Sequence, residues 1–548
     1  MVYVDETDLG YRPYVESWLQ RRGEVSKEQA TLLRELCGKC LSKALALRAS
    51  QCRQPVPVPD LACVVSLAQM FDAAATLENG VDAKDAQSFA RMTELWFLFC
   101  LLWTVGITVD EQGRMEMDSL FREIDPQISG KGLVYDFYVD PKKKAWAPWD
   151  DKVNHAWKPS FELPFYKLFV PTVDTVRYSA VIGMLVKAKR HTLVTGESGV
   201  AKSSIIFSVL AGLDESFAWL NINFSAQTNS VRVSDTIETR LEKRTKDTFA
   251  PPGGRRLVAF IDDFNMPEKE VFGAQPPLEL LRMWIEYDFW YDLKKQAPKY
   301  VKEMQLLAAM GHPGGGRTVI SPRVLSCFHV LNITFPSEVT VKRIFGTLIN
   351  AKLVDFDEEI KPVGEMMTAA TYELYQKVCA ELLPTPDKPH YVFNLRDISR
   401  VFEGVLQMDR NFYDSKDGVI RLWAHEVLRV FSDRLINEPD REAMHKIVSE
   451  RLEQRFGTAW GRIFTPTGCP PFGDFMREMS GDKKAPYEEM NNPAALKKHV
   501  EDKLEDYNME PGFSAMDLVL FRDAIDHVCR LRRVISMPRG NAMLVGVG

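Results

Sequence analysis

The chain has 548 residues, 45% of them hydrophobic and 26% charged, with a formal net charge of -6 at pH 7. That length and apolar fraction suffice for several cores, so three or four domain-sized units of a soluble globular protein are expected. The slight acidity argues against a nucleic-acid partner held by bulk charge, and nine cysteines spread over this length form no disulfide framework, which points to a reducing compartment.

The N-terminal text MVYVDETDLG starts acidic and has no long apolar core, so it does not read as a signal peptide. From about residue 20 to 122 the pattern is almost wholly helical, with apolar positions at helical spacing in KEQATLLRELCGKCLSKALALRA. Within it, Cys37 and Cys40 form a lone CxxC. Without a second pair or histidines at ligand spacing it reads as two thiols on a helix. The longest apolar run, LWFLFCLLWTVGITV at 95–109, is short for a bilayer crossing and reads as a buried helix. Lys142, Lys143 and Lys144 read as a solvated loop.

A mixed region follows. HTLVTG, FAWLNINFS, RRLVAFIDD and SCFHVLNITFP are continuous apolar stretches separated by helical text, the signature of buried strands in a parallel sheet covered on both faces. After about residue 337 the chain turns helical again, through VTVKRIFGTLINAKLV, MTAATYELYQKVCAELL, LRDISRVFEGVLQM and IRLWAHEVLRVFSDRL, with no sustained heptad repeat.

The stretch TGESGVAKSS at 195–204 lies between a predicted strand and a predicted helix. It nearly spells the phosphate-binding pattern G-x-x-x-x-G-K-S/T, with Gly196, Glu197, Ser198, Gly199, Val200, Ala201, Lys202 and Ser203 in order and Ser204 just beyond. Backbone N–H groups of such a loop wrap the β-phosphate, Lys202 spans the β- and γ-phosphates, and the Ser203 hydroxyl ligates magnesium at a helix N-terminus that favours anions. Ala201 stands where a second glycine belongs. If the helix has already begun there, its methyl costs little; in left-handed geometry it costs roughly 1–2 kcal/mol. A second motif supports the first: RRLVAFIDDFNMP is a strand ending in Asp262 and Asp263, where the first carboxylate serves the magnesium shell and the second polarises water. Most such ATPases have glutamate in the second place. Asp263 is one methylene shorter and falls short of the water by about 1 Å, a misplacement worth on the order of 100-fold in rate. Nucleotide binding is the firmer expectation, hydrolysis the weaker.

GESGVAKS alone is similar to loops of several AAA+ families. The wider text, LFVPTVDTVRYS, KRTKDTFAPPGGRRLVAFIDDFNMP, FGAQPPLELLRMW, GGGRTVISPRVLSCF and HYVFNLRDISRVFEGVL, resembles the third AAA+ module of a dynein heavy chain, the axonemal type more than the cytoplasmic. The resemblance implies an α/β P-loop NTPase module with helical lid subdomains. Residues 1–130 would be the helical lid and connecting region of the second module, 131–338 the large α/β subdomain of the third, 339–480 its helical small subdomain, and 481–548 the start of the fourth. On this reading the sequence stops inside the fourth module's phosphate loop and is a fragment.

Carried over residue by residue, the resemblance sets the adenine against Val170, Pro171 and Thr172, and phosphates and magnesium on the loop through Gly196, Gly199, Lys202 and Ser203. Asp262 would serve the metal and Asp263 the weakened water-activating position. Arg396 in FNLRDIS matches the lid arginine called sensor two. Arg323 in ISPRVLSCF matches an arginine finger serving the neighbouring second module. Where a polar first sensor follows the fourth core strand, LLAAMGHPGGGR offers Gly311, which has no side chain to orient water, and His312, which reads as a loop residue.

The resemblance further implies ATP or ADP with Mg2+ as cofactors and a regulatory role in a microtubule motor of the cilium or flagellum axoneme. The partners would be neighbouring modules of the same heavy chain, with microtubules and intermediate or light chains met only through other parts, and no nucleic acid or membrane. Two alternatives stay open: a nucleic-acid helicase of the minichromosome-maintenance sort, and a structural ring segment without turnover. DDFNMP, the acidic balance and the absence of zinc-module cysteine spacing stand against the helicase.

Overall fold

A computed structural model describes residues 9–292, 295–464, 469–477 and 485–546. The chain forms two compact units, one from residues 1–154 with 171–336 and the other from 155–170 with 337–548.

The first unit opens with helices Arg12–Val25, Lys27–Leu36, Ser42–Gln51 and Asp60–Ala74, with the paired cysteines on one widened, π-helical turn, Cys37–Leu41. Both thiols are buried, and burial pushes Cys37 up to about 12. Helix α1 (Ala86–Leu102) carries the long apolar run and is continued by a single turn at Gly106–Thr108. By length and composition Ser88–Thr108 could cross a membrane, yet 83% of that window is buried inside the protein. Trp103, fully buried, meets Tyr135 and Tyr178 edge-on. Helix α2 (Glu111–Ile124) follows, capped by Asp110, whose carboxylate accepts from the Gly113 N–H.

Helix α3 (Val173–Lys187) starts at a reciprocal cap in which Thr172 and Thr175 satisfy each other's backbone N–H groups. The five core strands then come in order: β1 (Thr192–Gly196), β2 (Phe217–Asn223), β3 (Arg256–Asp262), β4 (Met304–Met310) and β5 (His329–Ile333). All are parallel, and their spatial order is β5-β1-β4-β3-β2. Every residue of β1, β4 and β5 is buried, as continuous apolar strands between helical layers must be. Helix α4 (Lys202–Ala211) follows β1, α5 (Pro276–Tyr287) follows β3, and the short α6 (Pro322–Leu325) lies between β4 and β5. A separate four-stranded sheet is built from Glu242–Lys243, Thr248–Ala250, Phe289–Asp292 and Ala297–Val301.

The second unit is helical, with α7 (Glu338–Leu353), α8 (Val363–Glu381), α9 (Leu395–Val405), α10 (Lys416–Val427), α11 (Glu438–Arg451), α12 (Trp460–Ile463), α13 (Pro493–Met509) and α14 (Arg522–Ser536) among its described helices. Phe345 stacks on Phe402 at 4.6 Å. Glu426, with no exposed surface, accepts hydrogen bonds from Arg533 and from the Tyr487 hydroxyl, which ties α10 to α14.

Two histidines sit at the N-terminal edge of the large sheet, where the His329 N–H donates to the His191 carbonyl. His329 Nε2 donates to the Trp103 carbonyl at 2.9 Å, and His191 Nδ1 accepts from the Leu306 N–H at 3.1 Å. Loss of solvation pushes each down to about 4 from 6.5. The unfolded chain therefore binds two protons that the folded protein excludes. Stability contributed here is complete above about pH 6.5 and falls as the pH drops toward 4. Urea titrations across that window should show stability declining with pH, and His329→Gln should flatten the slope by up to one proton; an unchanged slope would mean that His329 titrates normally in the fold.

Candidate functional site

The site is built where β1, β4 and β3 end side by side. Gly196 closes β1 opposite Ile333 of β5, and a Cβ at that position would lie 2.4 Å from the Ile333 carbonyl oxygen. Only glycine fits. The chain then loops through Gly199, at φ 87°, and tucks Val200 into the core before α4 begins. Ala201 stands just outside the helix at φ 64°, ψ 21°. The mild outcome expected for a residue already in the helix therefore does not hold. Because α4 starts one residue later, at Lys202, the methyl carries the left-handed penalty of about 1–2 kcal/mol. Alanine also offers no side-chain cap, so the first N–H groups of α4 remain open for an anionic ligand.

Lys202 folds over the loop, its ammonium donating to the carbonyls of Gly196 at 3.0 Å and Glu197 at 2.6 Å. Ser203 Oγ donates to Asp262 Oδ2 at 2.6 Å, joining the loop to the end of β3 across 59 residues of sequence. The other Asp262 oxygen accepts from the Asp263 N–H at 3.0 Å. Asp263 is exposed and has a left-handed backbone, φ 55°. Aspartate tolerates that conformation better than most residues, so the backbone itself gives a reason for the shorter acid. A hydroxyl and a carboxylate 2.6 Å apart are hard oxygen donors of the kind magnesium takes, with its remaining positions left for water and phosphate.

At the end of β4 the two sensor candidates have different fates. His312 turns across β1, and its Nε2 lies 3.1 Å from Asn332 Oδ1 of β5. The same Oδ1 accepts from the Thr195 hydroxyl at 3.1 Å, while Asn332 Nδ2 donates to the Val109 carbonyl at 3.0 Å. Arg114 of α2 adds a bond to the Asn332 carbonyl at 2.5 Å and another to the Tyr178 hydroxyl. His312 is thus a fastening for the sheet edge beneath the loop. Asn265, fully buried, plays a similar part beside β3, its side-chain Nδ2 donating to the Gly311 carbonyl at 2.9 Å while its backbone carbonyl accepts from the Thr318 N–H and hydroxyl. Sequence reasoning did not single out Asn332, Asn265 or Arg114. The one signal for the two asparagines was a polar residue inside apolar text, HVLNITF and FNMP, while Arg114, in the polar helical text EQGRMEMDS, gave none.

The remaining expected residues are spread out. Thr172 caps α3 and is buried beside a half-buried Pro171; Val170, also buried, belongs to the second unit. Glu197 and Ser204 are exposed and Ser198 is half-buried. Arg323 is exposed on α6, where the Ser321 hydroxyl caps the turn. Arg396, exposed in the first turn of α9 beside the Asn394 cap, lies in the second unit.

Comparison with known proteins bears on these motifs. Residues 157–336 match the family model of the P-loop containing dynein motor region, and 33–151 that of the dynein heavy chain AAA lid domain. Residues 367–460 match an AAA+ lid domain, and 516–548 the P-loop containing dynein motor region D4. The chain is 46% identical over its whole length to human dynein axonemal heavy chain 2. The chain belongs to the dynein heavy chain family. It is also 44% identical to the Chlamydomonas reinhardtii dynein-1-beta heavy chain of the flagellar inner arm I1 complex, and 34% identical to human dynein axonemal heavy chain 6. In each comparison all of this chain is aligned, yet it spans only 12–13% of the length of these dyneins. The AAA+ fold expected from sequence is the one observed, and none of these matches supports the helicase alternative.

The left-handed alanine is directly testable. Ala201→Gly should relieve the methyl's strain, less the roughly 0.4–1 kcal/mol that glycine's extra freedom in the unfolded chain returns. The expected result in denaturant titration is a stability equal to or up to about 1 kcal/mol above the parent. A loss of more than about 1 kcal/mol would show that the methyl packs against a needed neighbour.

Proposed function

We propose that the chain is a regulatory, nucleotide-binding AAA+ module of a dynein heavy chain that works in the axoneme of a cilium or flagellum. Residues 131–338 are its large subdomain and 339–480 its small one, with 1–130 belonging to the preceding module and 481–548 to the following. The observation that carries the reading is the Ser203–Asp262 hydrogen bond at 2.6 Å, which brings a phosphate loop and a strand-end carboxylate onto one metal-binding edge. Axonemal and flagellar relatives aligned over the whole chain support the setting.

In this site the open N–H groups of α4 and the Lys202 ammonium hold the phosphates of ATP or ADP, and Ser203 and Asp262 hold Mg2+. When bound there, the metal would neutralise phosphate charge. Asp263 is the water-directed acid, placed on a turn that favours aspartate over glutamate. Val170, Pro171 and Thr172 take the adenine, Arg396 serves as the lid arginine, and Arg323 serves as the finger for the neighbouring second module's nucleotide. Neighbouring modules of the same heavy chain are the immediate partners, and movement on microtubules belongs to the whole dynein.

Lys202→Ala should weaken magnesium-dependent binding of a fluorescent ATP analogue at least tenfold, because charge-assisted contacts to two phosphates are lost. Equal binding by variant and parent would remove the loop assignment. Arg323→Ala should leave the chain's own ATP affinity within about twofold, with phosphate release close to background in both proteins, since a finger serves the adjoining site and is worth about 1,000-fold in rate there. Substantial turnover by the parent that disappears in Arg323→Ala would place Arg323 on this loop instead.

A further inference from the structure

The end of β4 holds an arginine that neither the sequence motifs nor the fastening network accounts for. After Met310, which lies opposite Thr195 of β1, the chain passes Gly311, turns through Gly314, Gly315 and Gly316 at φ 118°, 57° and 87°, and comes back at Arg317. Backbone bonds in both directions between Gly314 and Arg317, each 3.1 Å, close the turn. Three consecutive glycines in the left-handed region permit so tight a return. It lays the Arg317 side chain on Gly311: a Cβ built on Gly311 would lie 2.5 Å from Nε, 2.8 Å from Cδ and 2.9 Å from Cζ. The guanidinium therefore fills the space of the side chain that residue 311 lacks.

Among the described residues Arg317 has no carboxylate or carbonyl partner for its guanidinium, and its buried Nε is unsatisfied. The residue is half-buried, and a desolvated donor without a partner is costly. Its seat is fixed from below by the Asn265 amide on the Gly311 carbonyl. That seat lies at the end of the central strand, between β1, which runs into the phosphate loop, and β3, which ends at Asp262. In open parallel sheets this C-terminal edge is where ligands bind. His312 does not compete for the role, since its ring is engaged with Asn332.

We propose that Arg317 is the γ-phosphate-directed group of this site, a positioning and specificity residue that replaces the missing polar sensor side chain and favours ATP over ADP. This rests on the nucleotide reading above. A planar fork of donors suits a terminal phosphate, and Gly311 is the residue that lets it approach.

The test is equilibrium binding of fluorescent ATP and ADP analogues, with magnesium, to the 548-residue chain and to Arg317→Ala, Arg317→Lys and Gly311→Ala, with thermal melts of each. Arg317→Ala should weaken ATP about tenfold or more and ADP less than twofold, at an unchanged melting temperature. Arg317→Lys should keep part of the preference. Gly311→Ala should displace the guanidinium and reproduce the selective loss. Equal losses for both nucleotides, with or without a lower melting temperature, would make Arg317 a structural residue and overturn the proposal; so would undiminished ATP affinity. If the parent binds neither nucleotide, the nucleotide reading itself fails before the variants are compared.

Discussion

Three parallel strands ending at one level are the constraint from which the rest of the site follows. With β4 between β1 and β3, residues at the ends of these strands are brought within about 10 Å, two strand spacings, although they lie far apart in sequence. Gly196 starts the loop, Asp262 supplies the carboxylate and Gly311 offers an empty seat. The register is rigid because all three strands are buried on both faces, so a slip would move every side chain to the wrong layer. The Ser203–Asp262 bond at 2.6 Å is a consequence of that register.

Polar residues inside this apolar sheet hold the edge in place. Asn332 gathers Thr195, His312 and the Val109 carbonyl on one amide, and Arg114 binds its backbone. The helical segment before the sheet is thereby fastened to the strand adjoining the phosphate loop through bonds buried from water, where each is worth more and its loss costs more. Such a network makes the loop's footing stiff. Within it the His312 ring is a structural tie to Asn332, one residue beyond the glycine where a sensor side chain is missing.

Much of this was legible in the sequence. Continuous apolar strands alternating with helical text announced a covered parallel sheet, and the order strand, glycine-rich loop, helix, then a strand ending in two aspartates named the two segments that the Ser203–Asp262 bond joins. What was not legible depended on backbone conformation and on register. The handedness of Ala201 turns on whether α4 begins at 201 or 202, a one-residue boundary that composition does not set. The destination of His312 depends on which strand lies across β1, and the place of Arg317 depends on how three glycines fold back. Gly311 looked like a deficiency when read alone and becomes a requirement once its neighbour is seen.

On the reading proposed above, the edge formed by Gly196, Lys202, Ser203 and Asp262 holds an adenine nucleotide. The most direct measurement is to incubate the purified chain with Mg2+ and ATP, remove free nucleotide by rapid desalting, denature the protein and identify what is released by ion-exchange chromatography. One adenine nucleotide per chain, with none retained when EDTA replaces Mg2+, is the expected result. Absence of any retained nucleotide, together with no saturable uptake in equilibrium dialysis, would contradict it.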